Sequence, residues 1–258
     1  MAEGFINPLK ARIAAGKRSV GILVSLPSVG MVQTLADAGY DWLFIDMEHG
    51  SMNMESVHAM IAATNGTKSA PLVRVPWNVH WLVKPVLDAG AMGIIFPMIR
   101  SAEEAADAVA AVRYPPVGRR GSGPFFAPAR YGVSQAEYVA RSDEEIVTLL
   151  LIEHRDAVED IERIVQVPGI DACLIAPFDL ALSYGHRDGP NHPDVQAAIA
   201  RVEEVVLPTK IALGGFLATA ESANEKFAMG YQLALTGYDT LLLRRATDAL
   251  LAGIDRDD

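Results

Sequence analysis

The chain has 258 residues, the size of one (β/α)8 barrel, although length alone also permits two smaller domains. Half of it is hydrophobic and 21% is charged, which supplies a core and excludes a disordered chain, and a formal charge of -10 argues against nucleic acid as a partner. A lone cysteine, Cys173, excludes an internal disulfide; the first residues lack a signal-peptide pattern and no apolar run approaches the roughly 20 residues of a membrane span, so a cytoplasmic protein without a membrane partner is expected.

In chain order, short apolar runs that read as buried strands alternate with alanine-rich amphipathic segments that read as helices. Val20–Leu26 precedes the helical pattern Met31–Ala38, Trp42–Asp46 precedes Met54–Thr64, Pro71–Val75 precedes Val79–Ala89, and Gly93–Pro97 precedes Ala102–Val112. Gly39 and Gly90 close two of these helices. A Pro/Gly-rich stretch from Tyr114 to Pro124 follows, and a loop of that length on a compact barrel is expected to be functional. Ile146–Glu153 with Val158–Val165, Ala172–Ala176 with Asp194–Val205, Ile211–Phe216 with Ala220–Met229, and Leu233–Thr236 complete eight units. The pattern Leu241–Ile254 is left over as a final helix, free to cover the barrel or a neighbouring subunit. Repeated βα units imply parallel strands, and eight imply closure into one barrel domain over residues 1–258.

Barrel active sites are built at the C-terminal ends of the strands. Here the second strand ends in Asp46-Met47-Glu48-His49-Gly50, the third carries Arg74, the fifth ends in Glu153-His154, and the sixth runs into Pro177-Phe178-Asp179. Glu153 and Asp179 offer hard oxygen ligands to an octahedral cation such as magnesium or manganese, or each caps a helix or pairs with an arginine. Arg74 on a buried strand calls for an anion: a substrate carboxylate, or an internal salt bridge across the mouth. His49 lies close enough to Asp46 for that carboxylate to orient its imidazole as an acid/base pair, against the blander reading of a polar surface residue. His58, His80, His186 and His192 read as structural or exposed. Among the aromatic residues, Phe216 at the end of the seventh strand is the best candidate for a pocket wall, since Trp77, Phe125 and Phe126 read as core.

The runs Trp42-Leu43-Phe44-Ile45-Asp46-Met47-Glu48-His49 and Val73-Arg74-Val75-Pro76-Trp77-Asn78 resemble the HpcH/HpaI aldolases. Phe96-Pro97-Met98, Arg113 to Gly121, Ile152-Glu153, Ile175 to Leu180 and His192 to Gln196 continue the resemblance in order over nearly the whole chain. It implies a barrel of the phosphoenolpyruvate/pyruvate type and a class II aldolase using magnesium, manganese or cobalt to cleave 4-hydroxy-2-oxo acids reversibly to pyruvate or hydroxypyruvate and an aldehyde. By the same resemblance Glu153 and Asp179 hold the metal, Arg74 holds the 2-oxo acid and stabilises the enolate oxygen, and His49 with Asp46 moves protons. Ala176, Phe178 and Asp179 cradle the substrate carboxylate, Asp88 reaches across a subunit boundary toward the aldehyde, and the assembly is a homohexamer, a trimer of dimers, with the last helix exchanged.

The chain departs from that family at Met47, where glycine is common, and at Leu151, where a glutamine often contacts the keto acid; both bear on the donor pocket. His154 and Val79-His80 are further departures, the latter beside the aldehyde. Three alternatives stay open: another lyase or phosphotransferase on the related barrel, such as one acting mainly as an oxaloacetate decarboxylase, a non-catalytic binding barrel, and a Schiff-base aldolase. The last needs a lysine at a strand's C-terminal end, and Lys68, Lys84, Lys210 and Lys226 all lie elsewhere in the pattern.

Overall fold

A computed structural model describes residues 4–255. A short helix, α1 (Pro8–Ala14), precedes β1 (Ser19–Val24), α2 (Val29–Asp37), β2 (Trp42–Asp46), α3 (Met54–Ala62), β3 (Ala70–Arg74), α4 (His80–Asp88), β4 (Gly93–Phe96) and α5 (Ala102–Val112). Next come α6 (Ala127–Arg130), α7 (Gln135–Glu145), β5 (Val147–Ile152), α8 (Arg155–Glu159), α9 (Ile161–Ile164) and β6 (Ala172–Ile175). The chain then runs through α10 (Pro177–Ser183), α11 (Pro193–Val206), β7 (Ala212–Phe216), α12 (Ala220–Ala228), β8 (Leu233–Tyr238) and α13 (Asp239–Ala252). The eight strands are parallel and close into a barrel in sequence order, β8 returning to β1, the (β/α)8 architecture expected from the sequence.

All eight predicted strands are present, whereas several helices differ. Val158–Val165 is two short helices, α8 and α9, meeting at Asp160. Helices α1, α6, α7 and α10 carry too weak an apolar stripe to announce themselves; α7 buries only Tyr138 and Ser142 along its length. Side-chain caps fix several starts: Ser101 accepts from Glu104 N at the head of α5, and Asn53 and Thr219 form reciprocal boxes with Ser56 and Ser222.

Alternation along the strands sorts the core into two layers. Trp42 and Phe44, Leu72, Ile95, Leu149 and Leu151, Leu174, Ala212, Leu233 and Leu235 fill the barrel interior. Leu43 and Ile45, Val73, Ile94, Leu150, Cys173 and Leu213 face the helices. At Gly21 the absent side chain makes room for Trp42, since a Cβ there would sit 2.2 Å from an indole ring carbon. Leu9 of α1 joins the interior layer, and the buried Asn7 ties that helix down: its amide donates to Met92 O at 2.6 Å and Glu145 O at 2.8 Å, while its Oδ1 caps α1. The N-terminal mouth is thereby plugged, leaving the other mouth for chemistry.

Candidate active site at the C-terminal mouth

Extending the inward-facing series by one step at the C-terminal end changes their chemistry. Trp42, Phe44, Asp46 on β2, Leu72, Arg74 on β3 and Leu149, Leu151, Glu153 leaving β5 each exchange an apolar residue for a charged one. Asp46 and Arg74 are register partners. The guanidinium grips Asp46 through two bonds, Nε to Oδ1 at 2.8 Å and Nη2 to Oδ2 at 2.6 Å, and its Nη1 lies 2.8 Å from Glu48 Oε2. Beneath it lies the Phe44 ring, 5.1 Å from Cζ. Burial works against the charge, yet Asp46, Glu48 and Glu153 hold the pKa of Arg74 above its ordinary value.

Glu153 is 2% exposed, and its Oε1 accepts from Met98 N at 2.6 Å. Met98 has φ 53°, a left-handed conformation that costs a side-chain-bearing residue, and this backbone turn after β4 presents the amide to the carboxylate. Burial, with the nearby charges of Asp179 and Glu48 adding to it and the Met98 bond opposing, pushes Glu153 up to about 7. Glu48 is also raised, by burial first, with Asp46 and Asp179 adding to it and Arg74 and His49 opposing.

Asp46, Glu48 and Glu153 thus act on one guanidinium, and Asp179 on the carboxyls of Glu48 and Glu153. Glu48 Oε2 is buried and, despite its closeness to Arg74, accepts no aligned hydrogen bond. An unsatisfied carboxylate oxygen beside a carboxyl group that burial holds protonated near neutrality is what a hard divalent cation would relieve, and the all-oxygen donor set suits magnesium or manganese. The residues present therefore fit such an ion.

The expected pairing of the His49 imidazole with Asp46 needs correction. Asp46 is spent on Arg74 and, through Oδ1, on the backbone N–H groups of Glu48 and His49. The imidazole is 66% exposed at the rim, with its Nε2 3.7 Å from Glu48 Oε2. Asp46 therefore shapes the turn and Glu48 is the carboxylate beside the ring. Gly50 completes this turn by close approach, since a Cβ would sit 2.2 Å from Asp46 O.

Ala176 is buried as the N-cap of α10, which carries the exposed Phe178 and the half-buried Asp179 in its first turn. Phe216 packs against Phe44 with centroids 6.4 Å apart. Leu151 is fully buried in the interior layer below Glu153, and Met47 packs against the outer core, so neither projects into the mouth as a free side chain. His154 caps α8, accepting from Asp156 N. Asp88 stands apart. It ends α4, at the opposite end of the barrel, where Arg120 Nη2 donates to it at 3.0 Å and burial raises its pKa against that pull. The long Tyr114–Pro124 loop supplies Arg120 and runs from α5 toward α6, so it too lies away from this chain's own carboxylates. No lysine takes part in the ion pairs of the mouth among the described residues.

Two contributors escaped the sequence. Glu48 could have been found by the same alternation, since Asp46 faces in, Met47 out and Glu48 in again. Met98 has no such signal, because its contribution is a backbone amide.

Residues 20–246 match the model of the HpcH/HpaI aldolase/citrate lyase family. The chain is 36% identical over 246 residues to a 4-hydroxy-2-oxo-heptane-1,7-dioate aldolase of Escherichia coli, covering 95% of this chain and 94% of the relative. It is 39% identical over 249 residues to a hydroxypyruvate/pyruvate aldolase of Paraburkholderia phytofirmans, covering 94% and 95% respectively. A solved HpcH/HpaI aldolase/citrate lyase family protein from Burkholderia cenocepacia superposes with a TM-score of 0.90 at 36% identity, over 95% of this chain and 98% of that one. The chain is a lyase that belongs to the HpcH/HpaI aldolase/citrate lyase family.

Proposed function

We propose that this enzyme reversibly cleaves 4-hydroxy-2-oxo acids to pyruvate or hydroxypyruvate and an aldehyde, with magnesium or manganese, or cobalt in their place, held by Glu153 and Asp179. The observation that carries the reading is the buried Glu153, which among the described residues has no cation side chain at hydrogen-bond range and lies close enough to Asp179 and Glu48 to feel their charges. A bound divalent cation would withdraw electron density from the 2-oxo acid and acidify the adjacent carbon.

The chain's own residues do the rest. Arg74, fixed by Asp46 and Glu48, places positive charge where the 2-oxo oxygen becomes negative during cleavage. The backbone at the start of α10, from Ala176 to Asp179, receives the substrate carboxylate, and Phe216 walls the pocket. His49 takes the proton of the 4-hydroxyl; the bond between the third and fourth carbons breaks, its electron pair passes to the 2-oxo acid, and the hydroxyl carbon leaves as the aldehyde. A proton returned to the third carbon completes the keto acid. We further propose a cytoplasmic homohexamer in which Asp88 serves a neighbour's site, supported by its position at the far end of α4.

The test is a screen of pyruvate and hydroxypyruvate against a panel of aldehydes with magnesium, manganese and cobalt, read by product mass. Carbon–carbon bond formation that EDTA abolishes and metal restores is expected. Flat activity across all pairs, or a borohydride-trapped pyruvate adduct, overturns the reading.

A further inference from the structure

The turn between α10 and α11 gathers a second set of donors outside the mouth. His186 Nε2 lies 2.9 Å and His192 Nδ1 3.5 Å from one oxygen, Asp194 Oδ2, and one donor atom from each residue falls within 4.8 Å of the others. The imidazoles stack with centroids 3.4 Å apart and planes 14° from parallel.

Ordinary helix capping explains only part of this. His192 Nδ1 accepts from Asp194 N at 3.2 Å at the head of α11, and so presents a lone pair, not a proton, to Asp194 Oδ2. The same cap occurs at His154, whose Nδ1 accepts from Asp156 N and lies 3.3 Å from Asp156 Oδ2, but among the described residues no third donor approaches there. At α11 the loop brings one. His186 N donates to Ala181 O at 2.9 Å, and Gln196 Nε2 holds Pro190 O at 2.8 Å, so both arms of the turn are pinned while the His186 ring comes to rest on His192.

We propose that His186, His192 and Asp194 form a second cation site that takes a borderline transition ion such as zinc, nickel or cobalt and not magnesium. Two imidazoles with one carboxylate suit these ions, whereas the carboxylates of the mouth suit hard ones. Metal–ligand bonds of about 2.0–2.1 Å bring tetrahedral ligand atoms to roughly 3.3 Å from one another, so the donors already stand near binding distance. Loading fans the half-exposed rings apart and exchanges the long Asp194 N–H bond on His192 for a metal bond. The ion would staple the two ends of the turn whose Pro190 lines one cavity with Pro177 and Phe216. It thereby stiffens the segment that follows Asp179.

Untagged, full-length protein saturated with magnesium provides the test, by zinc titration calorimetry and by the visible spectrum of the cobalt-loaded form. One equivalent of zinc should bind beside the magnesium, with heat and cobalt absorption lost, or affinity weakened at least about tenfold, in His186→Ala. Glu153→Gln should keep that equivalent, and His186→Ala should keep its magnesium-dependent turnover. Zinc binding that survives His186→Ala or vanishes in Glu153→Gln overturns the proposal, as does the absence of a second equivalent. The zinc and cobalt binding readouts need no turnover, so the proposal stands or falls apart from the proposed aldolase activity.

Discussion

Arg74 has five donors in a planar fork, spends two of them on Asp46 and pairs by charge with Glu48, which fixes its position before any substrate arrives. Lysine at this place cannot bridge Asp46 and Glu48 in the same way. Arg74→Lys should lower turnover about 100-fold or more while the protein remains folded, as for loss of one preorganised donor. Steady-state kinetics beside a urea melt separates the two effects. Arg74→Ala leaves the buried Asp46 and the partly buried Glu48 without their cation and should cost about 3 kcal/mol of stability in that melt. Glu153 gives a pH signature of defined sign. Its folded pKa of about 7 exceeds its ordinary value of 4.5, so without metal the folded state holds the extra proton. Its contribution to stability is therefore largest at low pH and falls as pH rises from about 4.5 to about 7. The difference in urea midpoint between EDTA-treated wild type and Glu153→Gln should change across that window and level off above it; parallel profiles would refute the assignment. Magnesium affinity should move oppositely, strengthening by up to about tenfold per unit as pH climbs toward 7, because the ion needs the carboxylate.

Elements were legible where periodicity was strong. The eight strands are nearly continuous apolar runs because both faces are buried, and the polar residues that break them at one end mark the mouth. Alternation could place Asp46, Arg74 and Glu153 on one layer, but it could not say that Asp46 turns its second lone pairs to the Glu48 and His49 amides, since that depends on the turn closed by Gly50. Helices whose role is to tie and not to pack left little trace. Asn7 shows why α1 matters: its cap and two donations to carbonyls beyond it make a short, weakly patterned helix a plug. Asn7→Ala should cost about 2 kcal/mol or more, combining a lost cap with two buried acceptors left unpaired. The melt should show it while magnesium affinity, set at the other mouth, is unchanged; a loss of magnesium binding at temperatures where the variant stays folded would contradict this separation.

At the scale of the whole molecule, two features point beyond the single chain. The carboxylate of Asp239 clamps the head of α13 to the end of β1, accepting from Ser25 N at 3.0 Å and Leu26 N at 2.9 Å. Beyond that anchor Leu243, Leu250 and Leu251 stand exposed, an apolar face on a helix that buries none of its leucines fully, and Ile254 just past its end is exposed too. Asp88, meanwhile, sits at the far end of α4 from Glu153, too remote to act with it in the same chain, since a nine-residue helix spans about 13 Å. If assembly brings Asp88 to a neighbour's mouth, two different defects should complement each other. Glu153→Gln removes a chain's own site but leaves its Asp88 available, and Asp88→Asn does the reverse. Each homomer should be inactive or nearly so, and co-expressed mixtures should recover activity at the sites that pair an intact Glu153 with an intact Asp88. Adding Leu243→Glu and Leu250→Glu to both chains places charge on the α13 face, and should lower the sedimentation coefficient and abolish the recovery together. Recovery that persists in subunits no longer associated, or mixtures no more active than their parents, would leave Asp88 a partner of Arg120 and nothing more.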